Sequence, residues 1–175
     1  MKRSVSFWSF AGFVFVSVAG TLLHFLYDWS GQLALVGVFS AVNESIWEHM
    51  KLLFFPLLIF AVIQSRYLAT EYENFWCVKL LGTVLGLVII PLLYYTYTGA
   101  LGVSADWFNI TIFFIAAAAV FWLEARLLRG EYRCLLPSSA AMAGLVFLGV
   151  LFAAFTFLPP NLPLFRDPID GTYGI

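Results

Sequence analysis

Long apolar stretches broken by short polar segments organise this chain. The pattern predicts spanning helices at about 6–28, 44–67, 74–97, 107–128 and 137–158. Each reaches the roughly 20 residues a helix needs to cross the hydrocarbon core of a bilayer. The apolar runs are continuous rather than alternating, which argues against a membrane barrel. A further apolar piece, residues 31–42, is too short to cross at about 1.5 Å per residue. It reads as a short re-entrant or interfacial segment. The expected fold is therefore all-α: a polytopic transmembrane helical bundle of about five spanning helices plus that segment. Residues 1–175 form one bundle, because no polar connection is long enough to fold alone.

Charge sets the expected orientation. With five spans and the N-terminus inside, Lys2, Arg3, Arg66, Lys79, Arg126, Arg129 and Arg133 fall on the cytoplasmic side. Only Lys51 and Arg166 fall outside, as the positive-inside rule prefers. A sixth span through 31–42 would reverse most of these. The expected location is the cytoplasmic membrane, with the N-terminus inside and the C-terminus outside. Met1-Lys2-Arg3 before an apolar run imitates a signal peptide, but no small-residue cleavage site follows, so it reads as a retained first helix.

Composition agrees with this class. The chain is 62% hydrophobic and 11% charged, with 19 Phe and 6 Trp, and its mean hydropathy is +0.93. Net charge is -1, and no basic run supports nucleic-acid binding. Cys77 and Cys134 both map to the cytoplasmic side without a CxxC pattern, and are expected as free thiols. Gly82 and Gly86, with Ala116 to Ala119, predict close helix packing. The proline-rich tail, residues 159–175, carries Leu164, Phe165, Tyr173 and Ile175. These apolar residues predict that it folds over the outer face of the bundle.

The candidate chemistry lies in two outer helix ends. His24 and Asp28 are four apart, so they share a face of the first helix. Glu44 and Glu48 are four apart at the start of the second, with His49 beside them. Ionisable groups next to hydrocarbon are costly, so such a cluster is a functional-site hypothesis. His24, Asp28, Glu48 and His49 are the candidate metal ligands, for zinc, manganese or iron. Glu44, Glu48 and His49 are the candidate catalytic groups, with a metal-free carboxylate base as the other reading. The candidate binding residues are His24, Tyr27, Asp28, Asn43, Trp47, Lys51 and Asp167. Structural roles compete with these. Ser45-x-x-Glu48 has capping-box spacing, and Lys51 either snorkels, pairs with Glu48 or holds an anionic head group. Asp106 reads as a helix cap or loop residue. Arg166 and Asp167 read as a surface ion pair or as closing the site. Lys79 and Glu124 are expected to form a salt bridge at the opposite face.

These residues resemble a family of small bacterial multi-pass membrane proteins of unknown function. The resemblance rests on His24-x-x-Tyr27-Asp28-Trp29, on Asn43-Glu44-Ser45-x-Trp47-Glu48-His49-x-Lys51, and on the closing Pro163-Leu164-Phe165-x-Asp167-Pro168-x-x-Gly171-Thr172-Tyr173-Gly174-Ile175. It covers the whole chain and implies location and architecture only. A fainter similarity of ingredients links the chain to intramembrane metal hydrolases of the ceramidase type, though two histidines fall short of their set.

The expectation is an outward-facing polar pocket for a small molecule, a metal ion or a lipid head group. Tyr27, Trp29, Trp47 and the tail aromatics would form its walls. If it is an enzyme, metal- or carboxylate-assisted hydrolysis or transfer on a lipid-linked substrate fits best. The alternative is a non-catalytic transport subunit, sensor or partner-binding protein. Membrane lipid is an expected partner and nucleic acid is not.

Overall fold

A computed structural model describes residues 4–130 and 132–175. Lys2 and Arg3, counted above for orientation, lie outside the described residues. The architecture is all-helical. Helices α1 (Val5–Trp29), α2 (Ala34–Gly37), α3 (Ile46–Leu68), α4 (Phe75–Leu101), α5 (Asp106–Arg129) and α6 (Ser138–Phe157) follow in order, and a 3-10 turn covers Pro163–Phe165. All except α2 are long and apolar enough to cross a membrane.

The helix ends have local causes. Ser45 caps α3, its Oγ accepting the Glu48 N–H, so one exposed donor at the helix start is satisfied. The helix α4 runs on to Leu101 and stops at Gly102, whose φ of 70° is left-handed. Pro56 and Pro91 lie inside α3 and α4, which continue past them.

The third helix is the central post. Of its most apolar window, 72% is buried, against 17% for α1 and 22% for α6. Helix α1 packs on α3 and α5, and α4 packs on α5, α3 and α6. Leu53 and Phe54 of α3, with Ala116 and Val120 of α5, are wholly buried at the centre. Gly20 sets how close α1 comes to α3: a Cβ there would sit 2.7 Å from the Leu52 carbonyl oxygen. That approach brings the next turn of α1, with His24, onto the start of α3.

Chain direction alternates, so the ends of α1, α4 and α6 gather with the starts of α3 and α5. At the opposite end, Lys79 and Glu124 form the expected buried ion pair at 2.5 Å. Cys77 and Cys134 are also at that end and correct an expectation. They are joined as a disulfide with Cα atoms 6.3 Å apart, and are not free thiols. Spacing along the chain could not show this, since 57 residues separate them.

Residues 31–42 fold back under the end of α1. The Ser40 hydroxyl accepts the Tyr27 N–H at 3.0 Å and donates to the Leu23 carbonyl. The tail packs against the start of α3. Phe165 packs tilted against Trp47 with ring centroids 4.8 Å apart, and the Ile175 N–H donates to the Thr156 carbonyl at 3.0 Å. Gly174 permits that closure. Its φ is 59°, and a Cβ would meet the Thr156 carbonyl oxygen at 2.5 Å.

Candidate metal centre

Three side chains meet where α1, α3 and the loop before α3 come together. His24 Nε2 lies 3.8 Å from Glu44 Oε1, and His49 Nε2 lies 3.4 Å from Glu44 Oε2. The potential ligand atoms of His24, Glu44 and His49 are all within 4.8 Å of one another. Each residue is half-buried.

The loop is held in place rather than free. The Glu44 N–H donates to Asp167 Oδ2 at 2.9 Å, so the tail fixes the backbone that carries this carboxylate. Asn43 Oδ1 accepts the Ser45 N–H at 3.0 Å, and its Nδ2 donates to the Gly174 carbonyl at 3.3 Å. Asp167 is buried and also accepts the Ile169 N–H at 2.6 Å. It makes no ion pair with Arg166 among the described residues, contrary to that reading of the tail.

Ring chemistry defines what the cluster can hold. His49 Nδ1 is 2.9 Å from the Ser45 carbonyl oxygen. A carbonyl only accepts, so Nδ1 carries the hydrogen. In the neutral ring, Nε2 then points a lone pair at the Glu44 carboxylate. Two acceptors face each other, and a cation between them resolves the conflict. Histidine metal ligands are oriented in this way, with the second ring N–H spent on a carbonyl. His24 lacks that support, because its Nδ1 is buried without a hydrogen-bond partner. When the ring is protonated, Nε2 instead donates to Glu44, and that hydrogen bond is the largest influence holding the Glu44 carboxyl below the usual carboxylate range, while burial opposes it.

The other expected ligands lie elsewhere. Asp28 is exposed and outside the cluster. It sits about one helical turn beyond His24 along α1. Glu48 is turned away, because consecutive helical residues do not share a face. Its carboxylate takes the Lys51 ammonium at 2.5 Å and the Val42 N–H at 3.0 Å. The capping box is therefore only half made. Ser45 caps Glu48, but Glu48 does not return the bond.

Lys51 does not snorkel. It is fully buried and also donates to the Gly37 carbonyl at 2.7 Å and to Thr156 Oγ1 at 2.8 Å. This network ties the 31–42 segment, α3 and α6 together. Tyr27 and Trp47 are both buried. Tyr27 is buried near Gly37. Trp47 lies among Phe152, Phe155 and Phe165. Trp29 is exposed.

The walls around the cluster come from other helices. A cavity of about 260 Å³ has Glu44 and His49 on one side, Tyr94, Ser104, Asp106 and Asn109 opposite, and Pro168 and Ile169 of the tail beside them. Asp106 is the first residue of α5, after the N-cap Ala105. Tyr97 Oη donates to Asn109 Oδ1 and lies 3.1 Å from Ser104 Oγ, which fixes this wall. Sequence reasoning missed Tyr94, Ser104 and Asn109. The available signal was Asn109, three residues after Asp106 in an otherwise apolar helix that starts at the same end.

The whole chain, residues 1–175, matches the model of a family of unknown function, DUF6512. The chain belongs to that family. No curated protein and no solved structure matches it. Membership in DUF6512 thus brings no activity with it, and the chemistry has to be read from this cluster.

Proposed function

We propose that this protein is an integral membrane protein that binds a divalent transition metal through His24, Glu44 and His49, with a free coordination position facing the adjoining cavity. One observation carries the reading. His49 Nε2 faces the Glu44 carboxylate at 3.4 Å because the opposite ring nitrogen is committed to the Ser45 carbonyl. Two imidazoles and one carboxylate suit zinc, manganese or iron. Three protein ligands leave room for water or substrate, as in catalytic rather than structural zinc sites. When bound, the metal supplies Lewis acidity for a carbonyl or phosphoryl oxygen. Hydrolysis or group transfer is the reaction class that this supports. Asp106 faces the same cavity, where it orients a substrate.

The basic residues Arg66, Arg126, Arg129 and Arg133 gather at the opposite end, which supports placing the metal cluster outside the cytoplasmic membrane surface. Metal analysis of protein purified without chelator tests the site. The expected result is about one metal per chain, lost in Glu44→Gln and in His49→Ala and retained in Asp28→Asn. A metal-free wild type, or a metal content unchanged in both ligand variants, refutes it. In that case a proton shared between His49 and Glu44 satisfies the cluster.

A further inference from the structure

We infer that the cavity draws its substrate from the bilayer as a lipid with an anionic head group, a reading that rests on the proposed metal pocket and names its substrate class. An apolar groove of about 740 Å³ lies between α3, α4 and α6, lined by Trp47, Val84, Val88, Leu92, Leu148 and Phe152 among others. Its lining on α4 runs from Val84 to Thr96, about 18 Å at the rise of a helix. Half of the bilayer hydrocarbon core is about 15 Å. The groove therefore has the length of one leaflet, and it lies on segments that are themselves apolar enough to span. Val88 and Leu92 are exposed there, so lipid chains are the medium against it.

The groove does not end blindly. At Tyr95 it meets a second cavity, about 440 Å³, under the tail. That cavity shares Ile46, Tyr94, Pro168 and Ile169 with the one beside the metal cluster. Apolar groove, tail cavity and the cavity beside Glu44 and His49 thus adjoin in order through shared lining residues. Arg166 lines the middle of it and has no ion-pair partner among the described residues. Its guanidinium lies over Gly171, where a Cβ would come within 3.1 Å. Asp170 lines the same cavity, and its Oδ1 accepts both the Thr172 N–H and the Thr172 hydroxyl. A free guanidinium pairs with the paired oxygens of a phosphate or carboxylate head group. A chain in the groove, an anion on Arg166 and a reacting bond beside Glu44 and His49 are then one molecule's three parts. A water-soluble anion would use only the last two of these.

The test uses the full chain in nanodiscs with a phosphatidylglycerol that carries a photoreactive group midway along one acyl chain. Labelled peptides are mapped by mass spectrometry, with phosphatidylglycerol, phosphatidylcholine and glycerol 3-phosphate as competitors. Label is expected on 84–96 and 148–152, in excess over the lipid-facing Phe10 and Val14 of α1. Phosphatidylglycerol should compete and glycerol 3-phosphate should not. Arg166→Gln should weaken competition by phosphatidylglycerol about tenfold, the effect of one lost charge-assisted hydrogen bond, and leave phosphatidylcholine unchanged. Val88→Trp and Leu148→Trp, which fill the groove from opposite walls, should each abolish the excess while eluting as the wild type does. Even labelling of α1 and α4, effective competition by glycerol 3-phosphate, or an unchanged lipid preference in Arg166→Gln overturns the inference. Labelling requires no metal. A metal-free wild type therefore sinks the metal reading alone, and even labelling of a metal-loaded protein sinks this one alone.

Discussion

Replacing Lys51 with methionine should unlock the end of the bundle that carries the candidate site. The lysine is fully buried, and its ammonium bonds Glu48, the Gly37 carbonyl and Thr156 Oγ1. Methionine fills similar volume but leaves the Glu48 carboxylate buried without its cation and the Gly37 carbonyl without its donor. Removing one partner of a buried pair costs about 3–5 kcal/mol. Because Thr156 also receives the Ile175 N–H, the tail should loosen with it. Equilibrium unfolding in mixed micelles reads the loss, and proteolysis of the tail reads the release. Glu48→Gln in the same chain removes the stranded charge while keeping an acceptor for the Val42 N–H. The double variant should therefore recover more than about 1 kcal/mol of the loss, within the usual range for coupled neighbours. A single-variant cost below about 1 kcal/mol, the value of an exposed pair, refutes this account. Strict additivity in the cycle refutes it as well.

Other outcomes follow from the same contacts. Asp167→Ala frees the Glu44 backbone, and metal affinity measured by competitive chelation should fall about 10- to 100-fold, as for other supports behind a ligand; an unchanged affinity would show that the tail does not position Glu44. Gly20→Val should push α1 from α3 and cost about 1–3 kcal/mol of overpacking, read as a lower unfolding midpoint together with a wider His24–His49 separation. Hydrogen bonds from Thr172 hold the Asp170 carboxyl below its ordinary value of 3.8. The turn is therefore fully supported above that pH and loses support as pH falls through the lowered value. Hydrogen exchange at Thr172 should speed up in that acid window, and Asp170→Asn should remove the dependence.

The five long helices were legible because continuous apolar length is a sufficient signal for crossing hydrocarbon. Their ends were less so. The second span was expected from residue 44, but the helix begins at Ile46 because Asn43 and Ser45 close a turn ahead of it. This two-residue shift matters. Glu44 is in a loop, so its four-residue spacing from Glu48 places nothing on a common face. The same spacing logic correctly put His24 and Asp28 on one face of α1, yet depth separates them, and only the inner residue reaches α3. A fully buried Lys51 was hidden because a lysine near a helix end usually finds water, and its partners at Gly37 and Thr156 are distant in sequence. Tyr94, Ser104 and Asn109 escaped because periodicity describes one helix at a time and does not reveal which helix ends are neighbours.

The cystine at Cys77 and Cys134 sets two tendencies of membrane proteins against each other. Arginines nearby, Arg126 and Arg129 among them, favour a cytosolic face for that end by the positive-inside rule, and on that face glutathione keeps such bonds open. A persistent bond belongs to the periplasm or its equivalents. The bond itself ties the start of α4 to the segment after α5, at the end of the bundle opposite His24, Glu44 and His49.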